Sequence, residues 1–310
     1  MYETFFGLSG KPFQLNPDPE FYFASKGHKR ARAYLEYGLH QGVGFIVITG
    51  DIGAGKTTLV RSILDRLPGE MIVATHIVST QVEADDLLRL VAQGFGMETA
   101  GTEKSALLTA LRTYCLQQHE LGRRSLLIID EAQNLPPCAV EELRMLSNFQ
   151  VGNQSLVQSF LIGQPELRDM LQSPGMQQLK QRIIASYHLG PLAGDETRAY
   201  VEHRLRHVQW AGNPAFDDEA FARIHEATDG VPRRINRLCD RLLLNCYLAQ
   251  LNVVPSAMVR EVASELAREL VGESRRIVNT MDMPAAAIGR SVSHRRALLP
   301  TIAAPACPSC

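Results

Sequence analysis

The sequence predicts an α/β fold with a doubly wound parallel sheet, followed by a small helical domain. Three observations support this prediction. Short apolar runs alternate with amphipathic segments over the first 190 residues, a glycine-rich phosphate-binding pattern follows the first run, and only helical patterns follow Asp195. Buried strands separated by helices form βαβ units, and the resulting parallel sheet is covered by helices on both faces.

The composition is that of an ordinary globular protein. The chain has 310 residues, 45% of them hydrophobic and 21% charged, which is enough for about two domains. A formal net charge of −1 gives no overall attraction to nucleic acid or to an anionic membrane. The opening segment lacks the features of a secretory signal, and no apolar run approaches the roughly 20 residues that span a bilayer. We therefore expect a cytoplasmic protein with no transmembrane segment of its own and with reduced cysteines.

The first apolar run, Phe-Ile-Val-Ile-Thr at 45–49, is rich in β-branched residues and bounded by glycines, which is typical of a buried parallel strand. Similar runs predict four more strands at 71–78, 125–129, 157–162 and 183–189, with helices at 56–67, 84–95, 103–120 and 139–149. This alternation fills a first domain over residues 1–190, in which residues 1–40 form a lead-in.

The pattern changes after Gly190-Pro191-Leu192, where the strand-like runs stop. Helical patterns at 196–208, 217–228, 232–250 and 256–270 predict a second domain over residues 191–270. Residues 271–310 are rich in Ala, Pro, Ser and Arg without sustained periodicity, so we expect a disordered tail. Five arginines and two acidic residues give this tail a charge of +3, which leaves −4 on the remainder.

Residues 50–57, GDIGAGKT, match the phosphate-binding pattern GxxxxGK[ST] between the first strand and the first helix. The glycines let successive N–H groups point inward, and the helix N-terminus adds partial positive charge, so the loop holds phosphate oxygens. Lys56 is expected to bridge the β and γ phosphates, and Thr57 to face a Mg²⁺ ion that keeps most of its waters. With ATP and Mg²⁺ as cofactors, the predicted binding residues are Gly50, Asp51, Ile52, Gly53, Ala54, Gly55, Lys56, Thr57 and Thr58.

Two adjacent carboxylates, Asp130 and Glu131, follow the apolar run at 125–129. Ligands of a doubly wound sheet bind at the carboxyl ends of its strands, so both side chains are expected near the phosphate loop. We predict that Asp130 holds the Mg²⁺ shell together with Thr57, and that Glu131 is catalytic because it orients and deprotonates the attacking water. The alternative, in which the carboxylates merely cap a turn, leaves Lys56 and Thr57 without their usual partners.

Three segments together resemble an AAA+ ATPase, a class of P-loop NTPase. They are the phosphate-binding pattern, DEAQNL at 130–135 and GVPRRINR at 230–237 in the helical domain. Within this class, MYETFFGLSGKPFQLNPDPEFYFAS, His28, YGLHQGVGFIVITGDIGAGKTTL and FLIGQPEL are similar to the general-secretion-pathway A (ExeA-like) type. They look most like the ATPase that accompanies exosortase (PEP-CTERM) and exopolysaccharide genes. The resemblance covers residues 1–270 and implies that residues 191–270 are a lid over the nucleotide.

The resemblance implies roles for three further residues. Gln164 matches sensor 1, a catalytic position where a polar side chain places the water, although a plain turn residue is the alternative. Arg182 resembles a catalytic arginine finger that acts on a neighbouring subunit and so implies a homo-oligomer, with a solvated arginine as the alternative. Arg233 resembles sensor 2, which reaches from the lid to the phosphates and couples domain angle to nucleotide state.

Three features of the sequence allow more than one interpretation. The arginines at 233, 237 and 241 share a helix face, which is either solvated or binds phosphate. The aromatic residues of the lead-in either pack beside the base of the nucleotide or dock on the sheet; they are Phe5, Phe6, Phe13, Phe21, Tyr22 and Phe23. His28 is interpreted most simply as part of the start of a helix.

Residues and resemblance together indicate a Mg²⁺-dependent ATPase that powers or regulates an envelope export or exopolysaccharide system. Its expected partner is an inner-membrane or periplasm-linked protein, which makes the chain peripheral at that membrane. A rival hypothesis is a DNA-binding, transposition-type AAA+ ATPase, which would use the basic residues at 26–32, the arginine face and the tail. The charge of −4 argues against it. A third hypothesis is a nucleotide-gated module that hardly hydrolyses ATP and recruits a membrane partner.

Overall fold

A five-stranded parallel sheet forms the centre of the molecule. The structure, a computed structural model, describes residues 1–16, 18–65, 71–78 and 83–281. Its strands are β1 (Phe45–Gly50), β2 (Ile72–Val78), β3 (Arg124–Asp130), β4 (Gln150–Val151), β5 (Gln154–Ser155), β6 (Val157–Gly163), β7 (Ile183–Leu189), β8 (Ala215–Phe216) and β9 (Val253–Val254). The sheet has the order β2-β3-β6-β1-β7, and every neighbouring pair is parallel. The five predicted strands are therefore confirmed.

The strand order brings distant parts of the sequence to one edge. β6 lies between β1 and β3, with Thr49 opposite Gly163 and Ile129 opposite Leu161. Because all the strands run in the same direction, the carboxyl ends of β1, β6 and β3 meet at one edge of the sheet. The phosphate loop, Gln164 and Glu131 follow these three strands and converge there.

Helices cover both faces of the sheet, as predicted. They are α1 (Tyr2–Phe6), α2 (Lys26–Gln41), α3 (Lys56–Leu64), α4 (Ala84–Gly94), α5 (Lys104–Glu120), α6 (Pro137–Leu146), α7 (Pro165–Gln172), α8 (Gln177–Lys180), α9 (Gly194–His207), α10 (Asp218–Thr228), α11 (Pro232–Leu248) and α12 (Ser256–Met281). Successive strand residues face opposite sides. Phe45 and Val47 pack with α4 to α8, and Ile46 and Ile48 pack with α2 and α3.

The helical domain is built around α9, α10 and α11, which pack against one another. These helices bury Val201, Leu205, Ile224, Ile235 and Leu242. Pro232 occupies the first turn of α11, where its missing N–H costs nothing and its fixed φ favours helix initiation. The position of this proline therefore sets where α11 begins.

The aromatic lead-in docks on the helical domain. The Tyr2 hydroxyl donates to Asp240 Oδ1 at 2.6 Å, and the Phe5 ring lies 5.5 Å from that of Tyr247 on α11. The Phe21 ring lies 4.3 Å from His207 on α9. Phe5 and Phe21 therefore dock on the helical domain and not on the sheet, which was one of the two interpretations of these aromatics. Residues 1–264 form one compact unit, so the domain boundary at 190 stays a prediction.

Two short strand pairs were not predicted from the sequence. In the helical domain β8 pairs parallel with β9, and β4 pairs with β5 in a hairpin that begins at Gln150. The prediction that only helices follow residue 195 is therefore wrong. Strands of two residues are too short to show any periodicity, so the sequence pattern cannot reveal them.

The last helix is longer than predicted. α12 continues to Met281, so the helix extends into the segment for which we expected disorder, and that expectation stays a prediction. No proline interrupts the chain before Pro284, and a helix can therefore propagate through this segment. Residues from Glu265 onward belong to a second unit. The rest of the predicted tail, 282–310, lies outside the described residues.

The sequence also gave expectations about transmembrane helices and cysteines, which concern the described part of the chain. None of its helices combines the length and apolarity that crossing a bilayer requires. Its cysteines, Cys115, Cys138, Cys239 and Cys246, are free thiols, as predicted. Cys307 and Cys310 lie beyond it.

Candidate functional site

The phosphate loop (residues 50–57) connects β1 to α3. Gly53 and Gly55 have φ values of 83° and 94°, in the left-handed region that side chains disfavour. The Ala54 N–H donates to the Asp51 carbonyl at 3.1 Å and closes a turn between them. Because α3 begins at Lys56, the free N–H groups of its first turn face the loop. The loop is therefore built to surround an anion.

Lys56 supplies the positive charge of this loop. Its side chain is buried, and Nζ donates to the carbonyl oxygens of Gly50 at 2.7 Å and Asp51 at 3.0 Å. Burial lowers the pKa of Lys56, although the nearby carboxylates of Glu131 and Asp130 partly oppose that effect. The ammonium group thus lies between the loop and two acidic side chains.

Thr57 and Asp130 meet across the site as predicted. Thr57 Oγ1 donates to Asp130 Oδ2 at 2.7 Å, and the backbone N–H of Glu131 donates to Oδ1 at 3.0 Å. His76 Nε2 lies 3.8 Å from Oδ2. Burial raises the pKa of Asp130, but His76, Thr57 and the Glu131 N–H outweigh it and hold the pKa below the ordinary value. Asp130 is therefore ionised at neutral pH.

The donors at this position fit a magnesium ion. Thr57 and Asp130 offer one hydroxyl oxygen and one carboxylate oxygen beside the phosphate loop. Mg²⁺ prefers oxygen ligands and usually takes one or two from the protein, completing its shell with phosphates and waters. Over residues 1–16, 18–65, 71–78 and 83–281, no group of three or more His, Cys, Asp and Glu side chains could hold an ion.

Glu131 has an unusual backbone and two amide partners. Its φ of 53° lies in the left-handed region, which is uncommon for a residue other than glycine and is frequent at functional sites. Its Oε2 accepts from Gln133 Nε2 at 2.6 Å and from Gln164 Nε2 at 3.1 Å. The Gln164 N–H also donates to Gln133 Oε1 at 3.0 Å. Two amides therefore hold one carboxylate.

Gln164 is in the predicted place, and Gln133 was missed. The Gln164 side chain makes no capping bond at the start of α7 but contacts Glu131, which a plain turn residue would not do. Gln133 belongs to the DEAQNL segment, yet no spacing rule indicated that its side chain turns back to Glu131. A short 3₁₀ turn at Ala132–Asn134 produces that reversal.

Arg233 connects the helical domain to the phosphate loop. Its backbone N–H donates to the Gly53 carbonyl at 3.2 Å, and a Cβ on Gly53 would collide with the Arg233 side chain. Arg233 also lines the cavity beside the loop. Arg234 and Arg237 line an adjoining cavity with Glu166. The predicted sensor 2 residue therefore lies beside the phosphate loop, and its contact with phosphate stays a prediction.

Arg182 lies at the amino-terminal end of the strands, whereas the phosphate loop lies at their carboxyl-terminal end. It precedes β7, whose first residue Ile183 pairs with Phe45 at the start of β1. The length of β1 separates it from the phosphate loop of its own chain by about 20 Å. Its Nη1 donates to Ser147 Oγ at 2.6 Å, so it is not simply solvated. Action on a neighbouring subunit stays a prediction.

The cavity beside the phosphate loop is lined by residues that the sequence indicated, such as Arg233 and the aromatics at 21–23, and by others that it did not indicate. The lead-in contributes Gln14, Leu15, Asn16, Asp18, Phe21, Tyr22, Phe23 and His28, and the helical domain contributes Leu192, Tyr200, Arg204, Pro232, Arg233 and Asn236. Thr58, a predicted binding residue, also lines it. His28 begins a helix as interpreted, but its side chain is buried against the loop.

Arg204 connects the lead-in to the helical domain beside this cavity. It is buried and donates to the carbonyl oxygens of Pro12 and Gln14 and to the Tyr200 hydroxyl. No sequence motif could reveal it, because two of its partners are backbone carbonyls about 190 residues away.

Comparison with known proteins agrees with this geometry. Residues 39–171 match the family model described as an AAA domain. The fold is that of an AAA domain. General secretion pathway protein A of Aeromonas hydrophila is 40% identical over 250 residues, which cover 80% of this chain and 45% of that protein. The chain thus spans less than half the length of this relative.

Solved structures share the AAA fold at low sequence identity. The ORC1 protein of Aeropyrum pernix, in complex with DNA, has a TM-score of 0.64 and 17% identity, over 89% of this chain and 73% of that chain. Cdc6p from Pyrobaculum aerophilum has a TM-score of 0.60 and 14% identity, over 85% and 70%. The predicted P-loop α/β fold is confirmed.

Proposed function

We propose that this chain is a Mg²⁺-dependent ATPase that uses hydrolysis to drive a conformational or assembly change in an envelope export system. The supporting observation is the meeting of Lys56, the Thr57–Asp130 pair and the Glu131–Gln164 pair at one edge of the sheet. These groups supply a cation, hard oxygen donors and a base, which phosphoryl transfer to water requires.

The residues divide the work as follows. Loop N–H groups and Lys56 bind the β and γ phosphates. Thr57 and Asp130 hold Mg²⁺, which when bound neutralises charge on the phosphate oxygens. Glu131 accepts a proton from the attacking water, while Gln133 and Gln164 orient its carboxylate. Arg233 contacts phosphate from the helical domain in the closed form, and so links nucleotide state to the angle of the lid.

The biological role rests on resemblance. The 40% identical relative is named general secretion pathway protein A, which supports export as the process. The lead-in motif favours an exosortase-associated or exopolysaccharide system, with an inner-membrane or periplasm-linked partner. Deleting the gene should then reduce export of polysaccharide, and a Lys56→Ala copy should fail to restore it. Normal export in the deletion strain would contradict this role.

Phosphate release by the purified chain tests the ATPase. Lys56→Ala should abolish nucleotide binding, whereas Glu131→Gln should keep binding and lose more than about 100-fold in turnover. Lys104→Ala is the matched control, because Lys104 is exposed and its ion pairs are with Asp85 and Glu142. If both site variants release phosphate like the wild type, the proposal is wrong.

The rival hypothesis, a DNA-binding ATPase, has less support. In the basic segment at 26–32, Lys26 pairs with Asp195 at 3.0 Å and Arg32 with Glu36 at 2.6 Å, which reduces the charge available to DNA phosphates. A salt-sensitive gel shift with ATPase stimulated by duplex DNA would nevertheless favour that rival. Slow turnover with ATP-dependent capture of an inner-membrane protein would favour the nucleotide-gated binding module.

A further inference from the structure

The His28 side chain packs against the outer side of the phosphate loop. It is the third residue of α2, and its side chain is buried with 5% exposure. Its Nε2 lies 2.9 Å from the position that a Cβ of Gly55 would occupy. Residue 55 must therefore be a glycine because of the imidazole as well as its own φ of 94°.

Ser25 holds one side of the His28 ring. Ser25 caps α2, and its Oγ accepts the backbone N–H of His28 at 3.1 Å. The same oxygen lies 2.7 Å from His28 Nδ1. A hydroxyl can donate to Nδ1 or accept from it, so this contact alone allows either tautomer. The other side of the ring lies against a backbone carbonyl, which can only accept, and this assigns the ring proton to Nε2 and the acceptor role to Nδ1.

The Nε2 side of the ring lies against the Ala54–Gly55 peptide, since it is 2.9 Å from the position of a Gly55 Cβ, and the Ala54 backbone raises the pKa of His28, as a carbonyl acceptor does. In a trans peptide the C=O of one residue and the N–H of the next point in opposite directions. A carbonyl of Ala54 that is held outward by His28 turns the N–H of Gly55 inward. Inward N–H groups are what a phosphate-binding loop needs.

The surroundings favour a neutral imidazole. Burial lowers the pKa of His28 to about 4, although the Glu196 carboxylate and the Ala54 carbonyl act in the opposite direction. The Tyr22 ring lies edge-on at 5.8 Å and helps to exclude water from the ring. At neutral pH the ring therefore has one donor and one acceptor, which match the Ala54 carbonyl and the Ser25 hydroxyl.

We propose that His28 is a positioning residue for the phosphate loop: through Nε2–H it holds the Ala54–Gly55 peptide so that the Gly55 N–H points at bound phosphate. The inference rests on the proposed nucleotide site. His28 itself does not touch phosphate, so the effect reaches the ligand only through the backbone of the loop.

Binding of ADP by the full chain tests this role. His28→Gln places an amide donor near the position of Nε2, whereas His28→Asn carries the same amide on a side chain too short to reach Ala54. We expect His28→Ala and His28→Asn to raise the Kd by about tenfold, and His28→Gln to stay within about threefold of the wild type. Titration calorimetry measures the Kd, and the melting temperature without nucleotide reports structural damage separately.

The possible results are distinguishable. Wild-type affinity in all three variants, or equal losses in Gln and Asn that follow the melting temperature, would overturn the inference. If the His28 variants do not fold, the Ser25→Ala variant replaces them, because it removes the hydroxyl that bonds to Nδ1 and holds the ring in place. A weaker Kd at an unchanged melting temperature supports the role, and an unchanged Kd refutes it. Failure of the wild type to bind ADP, or wild-type affinity in Lys56→Ala, would instead refute the proposed nucleotide site.

Discussion

Glu131 shows how single residues are constrained at this site. Its left-handed backbone costs free energy of order 1 kcal/mol or more, which the surrounding contacts must offset. In return the side chain leaves β3 in a direction different from that of Asp130. Asp130 bonds to Thr57, while Glu131 bonds to Gln133 and Gln164. Adjacent carboxylates therefore have separate partners and can perform separate tasks.

The titration of His28 should be visible in the stability of the protein. Its pKa of about 4 lies below the ordinary 6.5, so between these values the unfolded chain binds the proton and the folded chain does not. Stability contributed by this group is thus present above pH 6.5 and is lost as the pH falls towards 4. We expect the wild type to lose about 3 kcal/mol more than His28→Gln over this range.

Urea unfolding at pH 7 and at pH 4 measures this difference. Comparing wild type with His28→Gln removes the shared contribution of the carboxylates, including Glu196, which faces the ring. Parallel losses in the two proteins would show that His28 titrates normally in the folded state.

At the level of elements, α9 holds the lead-in through one side chain. Arg204 bonds to the Pro12 and Gln14 carbonyls, and its guanidinium lies 4.6 Å from the centre of the Phe21 ring. Without this arginine the Pro12 carbonyl would lose its donor, and the Gln14 carbonyl would keep only the longer bond from Asn236 Nδ2 at 3.5 Å. Arg204→Met should therefore lower the free energy of unfolding by about 3 kcal/mol.

Arg206→Met is the matched control, because Arg206 lies on the same helix but is exposed and pairs with Glu202. It should cost less than about 1 kcal/mol. Urea unfolding gives both values, and limited proteolysis of the lead-in should increase only for Arg204→Met. Equal losses in the two variants would mean that the contact does not anchor the lead-in.

Element prediction succeeded where the hydrophobic pattern was long enough. The strand predicted at 183–189 coincides with β7, and the run at 45–49 lies within β1. The pair β8 and β9 was missed because strands of two residues contain no repeat. Docking of the lead-in was also beyond the sequence pattern, since its contacts with α9 and α11 are about 190 to 240 residues distant.

For the whole molecule, the position of Arg182 has a direct consequence. It cannot reach the phosphate loop of its own chain, so any catalytic role requires a second copy of the chain. We expect Arg182→Ala to bind ATP normally and to lose turnover by about 100-fold. Mixing it with Glu131→Gln should restore activity, because each variant supplies what its neighbour lacks.

Phosphate release by the mixture, with light scattering to follow assembly, measures this effect. Arg168→Ala is a suitable control, since Arg168 is an exposed arginine on α7. If ATP-loaded protein stays monomeric and Arg182→Ala keeps full turnover, Arg182 is not an arginine finger.

The amino-acid sequence alone determined the phosphate loop, the Asp130–Glu131 pair and the order of strands and helices. These features are local, because glycine spacing, apolar runs and adjacent carboxylates are all contained in short segments. Only the tertiary structure decided that Gln133 and Gln164 share Glu131, that Arg204 holds the lead-in and that His28 braces Gly55. Those contacts join segments that are remote in the chain or reversed by a turn, and packing rather than local pattern brings their atoms within bonding distance.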